Sequence, residues 1–275
     1  MRIVILGSSI YSETACALAV RMTELGHVPV GALVLPATDR ATLRRKLAQW
    51  GVREVAHYAR TKLIPHRRHE QPRMSNPYLE PLLKNRDGVF RSLREVDVVY
   101  GFPVATCRDQ NSPQSVAQLR AWSPDLIIFT GGSILRKPLL QVPRLGVLNV
   151  HLGLLPEIRG MSSPEWSLLN RVPVGITIHY MDEGIDTGPI LQRYDFPDLA
   201  GCESLSDLRN RLIAFGVEKI GEVVAGLDQG TISATPQCDL DRDNQLFVMH
   251  EWLQARAAGY LTKNSTRVIA GRVNG

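Results

Sequence analysis

The sequence predicts an α/β fold, a mostly parallel twisted sheet with helices on both faces. Three observations predict it. Apolar runs recur without alternation, Ile-Val-Ile-Leu at 3–6 and Leu-Ile-Ile-Phe at 126–129, as in strands buried on both faces. Stretches with helix-capping residues separate these runs, so strand and helix alternate. Glycines, Gly7 and then Gly131-Gly132, follow the runs as turns. The arrangement is Rossmann-like over about residues 1–200. A small, mainly helical C-terminal part is expected over 201–275.

The elements follow in order. Residues 2–7 form the first strand, Ser8 and Ser9 turn the chain, and Ser12 caps a helix running to about Leu25, with Gly26 as its stop. Val28 to Leu35 is a second strand, with Pro29 near its start. Thr38 or Asp39 caps a helix from Arg40 to Trp50. Residues 57–95 carry scattered prolines and read as a loop with short helices, a surface insertion. Val96 to Tyr100 reads as a strand, and Val104 opens a short one. Ser112 caps a helix with Pro113 at its first position, ending near Trp122. Asp125 to Thr130 is a strand, and Ile134 to Leu140 a short helical stretch broken by Pro138. Gly175 to Tyr180 alternates: Ile176, Ile178 and Tyr180 share one face, Thr177 and His179 the other. Met181 to Gly188 is a polar loop, and Pro189 to Phe196 a strand placed to pair with the previous one. Ser204 opens an amphipathic helix to about Leu227, with Leu208, Leu212, Phe215 and Ile220 as its apolar stripe. Leu246 to Leu261 is the last helical pattern, and a polar tail follows.

Composition narrows the function classes. The chain has 275 residues, 44% of them hydrophobic, enough for a substantial core. No run approaches the ~20 apolar residues of a membrane span, and Ile3 to Leu6 is too short for a secretory signal. The four cysteines, Cys16, Cys107, Cys202 and Cys238, are scattered without a Cys-x-x-Cys pair. Neither a disulfide framework nor a metal site is expected, and a reducing cytoplasm is. Gly7-Ser8-Ser9 lacks the Gly-x-Gly-x-x-Gly spacing, and no acid ends the second strand, which argues against a dinucleotide. No Walker-type loop is present, and Ser162-Ser163 lack the Gly-x-Ser-x-Gly elbow of a nucleophilic serine. Net charge is +5, yet ten Lys/Arg stand against two acids between Arg40 and Arg73. That segment, with His57, His66 and His69, reads as a solvated surface before a nucleic-acid patch.

The stretch from Leu145 to Gly160 concentrates the chemistry. Val147, Leu148 and Val150 make a buried strand, and Asn149 and His151, two apart, share one face of it. Leu155-Pro156 and Arg159-Gly160 then turn the chain. A polar pair at a strand end facing a loop is where α/β sheets bind ligands.

Asn149, His151, Leu154-Leu155-Pro156, Arg159-Gly160, Pro164 and Trp166, then Asp186 and Gly188, resemble the motifs of the 10-formyltetrahydrofolate-dependent formyltransferases. That family includes methionyl-tRNA and amino-sugar formyltransferases. The resemblance is clearest over about 124–192. One departure stands out: the family's serine is Gly153 here, which removes a hydroxyl and is expected to loosen the loop. The resemblance implies Asn149, His151 and Asp186 as the catalytic set, with His179 as supporting structure and Asp182 on the surface. It also implies Gly131, Gly132, Ile134, Leu155, Pro156, Gly184 and Ile185 as contacts for 10-formyltetrahydrofolate.

The residue chemistry fits. Formyl transfer to an amine passes through a tetrahedral oxyanion and needs a donor for that oxygen, a proton shuttle and a group to orient the shuttle. The Asn149 amide, the His151 imidazole and the Asp186 carboxylate can serve in turn. The tRNA-acting members carry a larger C-terminal β domain, whereas residues 201–275 read helical. A small amine is therefore the expected acceptor, a nucleotide-linked amino sugar or specialised metabolite, with nucleic acid less favoured, no membrane, and a homodimer left open. A formyltetrahydrofolate hydrolase and an inactive folate-binding module are the alternatives.

Overall fold

The computed structural model describes residues 1–36, 74–238 and 245–272, and side chains as far as Leu261. The expected helix from Arg40 to Trp50, the basic segment 40–73, and His57, His66 and His69 lie outside the described residues.

The strands are β1 (Ile3–Gly7), β2 (Gly31–Val34), β3 (Lys84–Asn85), β4 (Gly88–Val89), β5 (Val104–Thr106), β6 (Leu126–Phe129), β7 (Gly146–His151), β8 (Arg159–Gly160), β9 (Gly175–Tyr180), β10 (Ile190–Asp195) and β11 (Gln245–Leu246). The helices are α1 (Glu13–Glu24), α2 (Glu80–Leu83), α3 (Leu93–Tyr100), α4 (Pro113–Trp122), α5 (Lys137–Leu140), α6 (Ser163–Asn170), α7 (Leu205–Gln229) and α8 (Glu251–Arg272).

Seven strands form one sheet in the order β10-β9-β7-β6-β1-β2-β5. The pairs among β7, β6, β1, β2 and β5 are parallel, and β9 and β10 run antiparallel on the β7 side. β1 is buried along its whole length because both faces are covered. On one face, Ile3, Ile5, Leu126, Ile128, Leu148 and Ile178 meet α1, α3 and α7. On the other, Val4, Leu6, Leu33, Ile127 and Val147 meet Val116 and Leu119 of α4.

α7 supplies Val217, Ile220, Val223 and Val224 to the same core as β1 and α1. α8 lies over α6, where Ala257 and Leu261 join Leu168, Ile176, Leu208 and Leu212. No helix of the described residues is long and apolar enough to cross a membrane.

The structure corrects four expectations. Residues 96–100 are not a strand but the body of α3. Ser92 Oγ accepts the Glu95 N–H, Glu95 accepts the Arg91 N–H, and Gly101 ends the helix at φ 74°. Those caps prevail over the β-branched valines, and the helix buries Val96 while leaving Val98 and Val99 84% and 56% exposed. The second strand begins at Gly31, not Val28, since Pro29 has no N–H for a ladder. Pro138 sits in the first turn of α5 and starts the helix rather than breaking it. Leu246 belongs to β11, which pairs with β8, and α8 starts at Glu251 and runs on through the expected polar tail to Arg272.

Candidate active site

The polar pair at the end of β7 meets a second pair on β9. The antiparallel register sets Asn149 opposite His179 and His151 opposite Thr177. Directly opposed side chains share a face, so all four point the same way from the sheet. Asp186, on the loop after β9, reaches into this group. Its backbone is left-handed at φ 54°, an uncommon conformation for a residue other than glycine.

The Asp186 carboxylate lies between two imidazoles. Its Oδ2 is 3.4 Å from His151 Nδ1, and its Oδ1 is 3.6 Å from His179 Nε2. Oδ2 also accepts the Gly160 N–H at 3.1 Å. The far nitrogen of each ring rests on a carbonyl: His151 Nε2 on Ile158 O at 2.7 Å, His179 Nδ1 on Tyr180 O at 2.8 Å. A carbonyl only accepts, so each of those nitrogens carries a proton. His179 Nε2 is then free to accept from Asn149 Nδ2 at 3.2 Å, which fixes the Asn149 amide and leaves its second N–H for a ligand.

Burial pushes the His151 imidazole below its ordinary value, and the neighbouring Asp186 charge only partly opposes this. Burial acts to raise the Asp186 carboxyl, but the His179 contact, the charge of both imidazoles and the Gly160 N–H outweigh it, and the net shift is downward. Both shifts make acid destabilising. Each group binds a proton more readily when unfolded, so its contribution is full above the unfolded value and lost as pH falls through the folded one. The window opens below about pH 6.5 for His151 and below about pH 4 for Asp186. Thermal scans are expected to show a midpoint falling from about pH 6.5 downward, with a shallower first limb in His151→Gln. An unchanged limb in that variant would remove His151 as its source.

The structure places the expected donor-binding residues unevenly. Gly131 borders a cavity of about 240 Å³ that opens beside Asn149 and is also lined by Thr14, Leu18, Thr130, Ile213 and Val217. Gly132 at φ 143° stands against the Gln110 amide, which a Cβ would strike. Ile134 and Ile185 are 74% and 43% exposed. Leu155 is fully buried, with its N–H donated to Thr177 Oγ1, and Pro156 is half-buried behind a cis peptide bond. Gly184 is exposed, and its N–H goes to Asp182, which also holds Thr187.

Gly153 does not loosen the loop as expected. Thr177 Oγ1 donates to Gly153 O at 2.7 Å, and a Cβ at 153 would lie 2.9 Å from Ile158 O, Ile158 Cγ2 and Ser163 Cβ. The glycine is a requirement of close packing. Gly153→Ser is therefore expected to destabilise by roughly 1–3 kcal/mol, as overpacking does, and to lower activity with it. A serine accommodated at wild-type stability in a denaturant titration would contradict this packing.

His179, which the resemblance implied only as supporting structure, is brought to Asn149 by the cross-strand register. Other residues of the site carried no signal of their own in the sequence. Thr177 is buried without exposure. Gln237 Nε2 donates to Asp186 O and Gly188 O at 3.0 and 2.7 Å, and its Oε1 is buried without a partner. Around it, residues 231–238 and 245–249 brace both loops of the site. Thr235 bridges Ile190, β11 pairs with β8, Phe247 O accepts Trp166 Nε1–H, and the Met249 N–H reaches Ser162 Oγ. Among the described residues, no group of three or more His, Cys, Asp or Glu could hold a metal ion.

Known proteins share this chain's pattern. It is 37% identical over 149 residues to the methionyl-tRNA formyltransferase of Trichlorobacter lovleyi, covering 54% of this chain and 47% of that one. The chain spans about half the length of the curated relatives it matches. Phosphoribosylglycinamide formyltransferase from Anaplasma phagocytophilum shares the fold at TM-score 0.54 and 19% identity, over 89% of this chain and 97% of that one. A sugar N-formyltransferase from a Shewanella species does so at TM-score 0.51 and 16% identity, over 90% and 76%. Residues 1–224 match the family model described as formyl transferase. This chain belongs to the formyl transferase family.

Proposed function

We propose that the chain moves a formyl group from 10-formyltetrahydrofolate to the amine of a small acceptor. The observation that carries this reading is the meeting of Asn149, His151 and Asp186 on one face of the sheet, with His179 between the amide and the carboxylate. The amine nitrogen attacks the formyl carbon, and a tetrahedral oxyanion forms. The free N–H of Asn149 donates to that oxygen. His151, neutral because it is buried, takes the proton from the amine, and Asp186 balances the imidazolium. Collapse then breaks the carbon–N10 bond, and the proton passes from His151 to the departing folate nitrogen. Exposed Ile134 and Ile185 offer apolar surface for the donor's rings, and Gly131 offers backbone groups beside Asn149.

A small acceptor fits the use made of α7 and α8, which are spent on packing against the sheet and α6. A methionyl-tRNA acceptor is the second reading, favoured by the identity to the Trichlorobacter protein. Mass spectrometry tests both. The donor is supplied with nucleotide-linked amino sugars or with methionyl-tRNA, and a product heavier by one formyl group names the acceptor. Formate released without any acceptor would indicate a hydrolase. Folate binding without turnover on any acceptor would sink transfer altogether.

A further inference from the structure

Ser163 begins α6 and is 4% exposed. Its Oγ donates to Gly160 O at 2.9 Å and lies 3.2 Å from His151 Nε2. A hydroxyl has one hydrogen, here given to Gly160, so toward the imidazole it can only accept. His151 Nε2 therefore faces two acceptors, Ser163 Oγ and Ile158 O. A chain of hydrogen bonds results that closes on itself once Nδ1 takes a proton. Asp186 Oδ2 takes the Gly160 N–H, Gly160 O takes the Ser163 hydroxyl, Ser163 takes the His151 Nε2–H, and the bare His151 Nδ1 faces Asp186 Oδ2 at 3.4 Å. The motif that the chain resembles has its hydroxyl at 153. Here a Cβ at 153 would lie 2.9 Å from Ser163 Cβ, and the hydroxyl beside the histidine is that of Ser163, on α6.

We propose that Ser163 is a positioning residue for formyl transfer: with the Ile158 carbonyl it holds the His151 proton on Nε2 and leaves Nδ1, beside Asp186, as the nitrogen that receives the amine's proton. This rests on the function proposed above. The groups that face His151 are Asp186, His179, the Ile158 carbonyl and Ser163, and no other charged side chain contacts its ring in the described residues. Without the Ser163 oxygen, Nε2 keeps one acceptor, and the Gly160 carbonyl loses its donor. The Nδ1–H form then gains population, with its proton turned toward Asp186.

The test is nitrogen-15 NMR of histidine-labelled full chain without substrate, together with kinetics. The wild-type protein is expected to show His151 protonated on Nε2 when neutral. Ser163→Ala is expected to raise the Nδ1–H population and shift the acidic limb of the kcat profile. It should lower kcat roughly five- to tenfold, the weight of one neutral hydrogen bond, with the acceptor KM little changed. Ser163→Thr, which keeps the hydroxyl, should restore both readouts. Two results overturn the proposal: wild-type His151 carrying its proton on Nδ1, or Ser163→Ala leaving tautomer and pH profile as they were. If Ser163→Ala does not fold, the wild-type tautomer and the Thr variant decide. The NMR readout needs no turnover, so a chain that holds the Nε2–H tautomer but transfers no formyl group sinks the proposed function and not the placement of the proton.

Discussion

Alanine at His151 is expected to lower kcat by about 10²–10⁴, the range for loss of a positioned proton carrier. Asn149→Ala is expected to cost about 10²–10³, the weight of one oxyanion donor. Asp186→Ala should fall in the range of His151→Ala, because it leaves the imidazolium without its carboxylate. The three act as a unit, so a double His151/Asp186 variant should lose little more than the worse single one. Folding should survive in each case. Asn149 and His151 lie at the end of β7, and the strand's core residues Val147 and Leu148 are untouched. Single-turnover kinetics with circular dichroism decides the matter. Near wild-type turnover in any properly folded variant removes that residue from the set.

Arg209→Ala is expected to be the largest single loss of stability at a polar contact. Arg209 of α7 clasps Glu165 of α6 through two hydrogen bonds of 2.6 and 2.7 Å. Glu165 is 2% exposed, so removing the guanidinium strands a buried carboxylate. A fully buried pair broken in this way costs about 3–5 kcal/mol. Arg209 is itself partly open to water, which brings the expectation to roughly 2–3 kcal/mol and a thermal midpoint lower by on the order of 5–10 °C. Replacing both residues with apolar ones of similar volume, Arg209→Met with Glu165→Leu, should recover most of the loss. Calorimetry showing Arg209→Ala within about 0.5 kcal/mol of wild type would mean that Glu165 finds another partner or water. The pair also anchors the turn that carries Ser163, two residues before Glu165, so the variant should weaken catalysis as well.

The strands and caps were legible because their signals are local. Ser12, Ser112 and Ser204 cap the helices they were expected to cap, and the alternation at 175–180 gave β9 its bounds. Residues 96–100 misled because four β-favouring residues among five, Val96, Val98, Val99 and Tyr100, outweigh, to the eye, a Ser-x-x-Glu cap placed just before them. The site was half legible. Asn149 and His151 are marked by their spacing on one strand. His179 owes its place to register between two strands, which no single segment encodes. Gln237 comes 51 residues after Asp186 and carries no motif, so only folding brings it to the loop it holds. Gly153 was read by its chemistry, a missing hydroxyl, when the deciding quantity was distance to Ile158 and Ser163.

The brace formed by Thr235, Gln237 and residues 245–249 has a consequence for biosynthesis. A nascent chain that has emerged only to about residue 200 already contains every strand of the main sheet, yet neither Gln237 nor β11 is there to steady Asp186 and Gly160. Such an intermediate would hold the reacting side chains on slack tethers. Competence should therefore arrive abruptly and late in translation, when the downstream segment docks, and a protease cut between α7 and α8 should silence the enzyme while leaving its sheet standing.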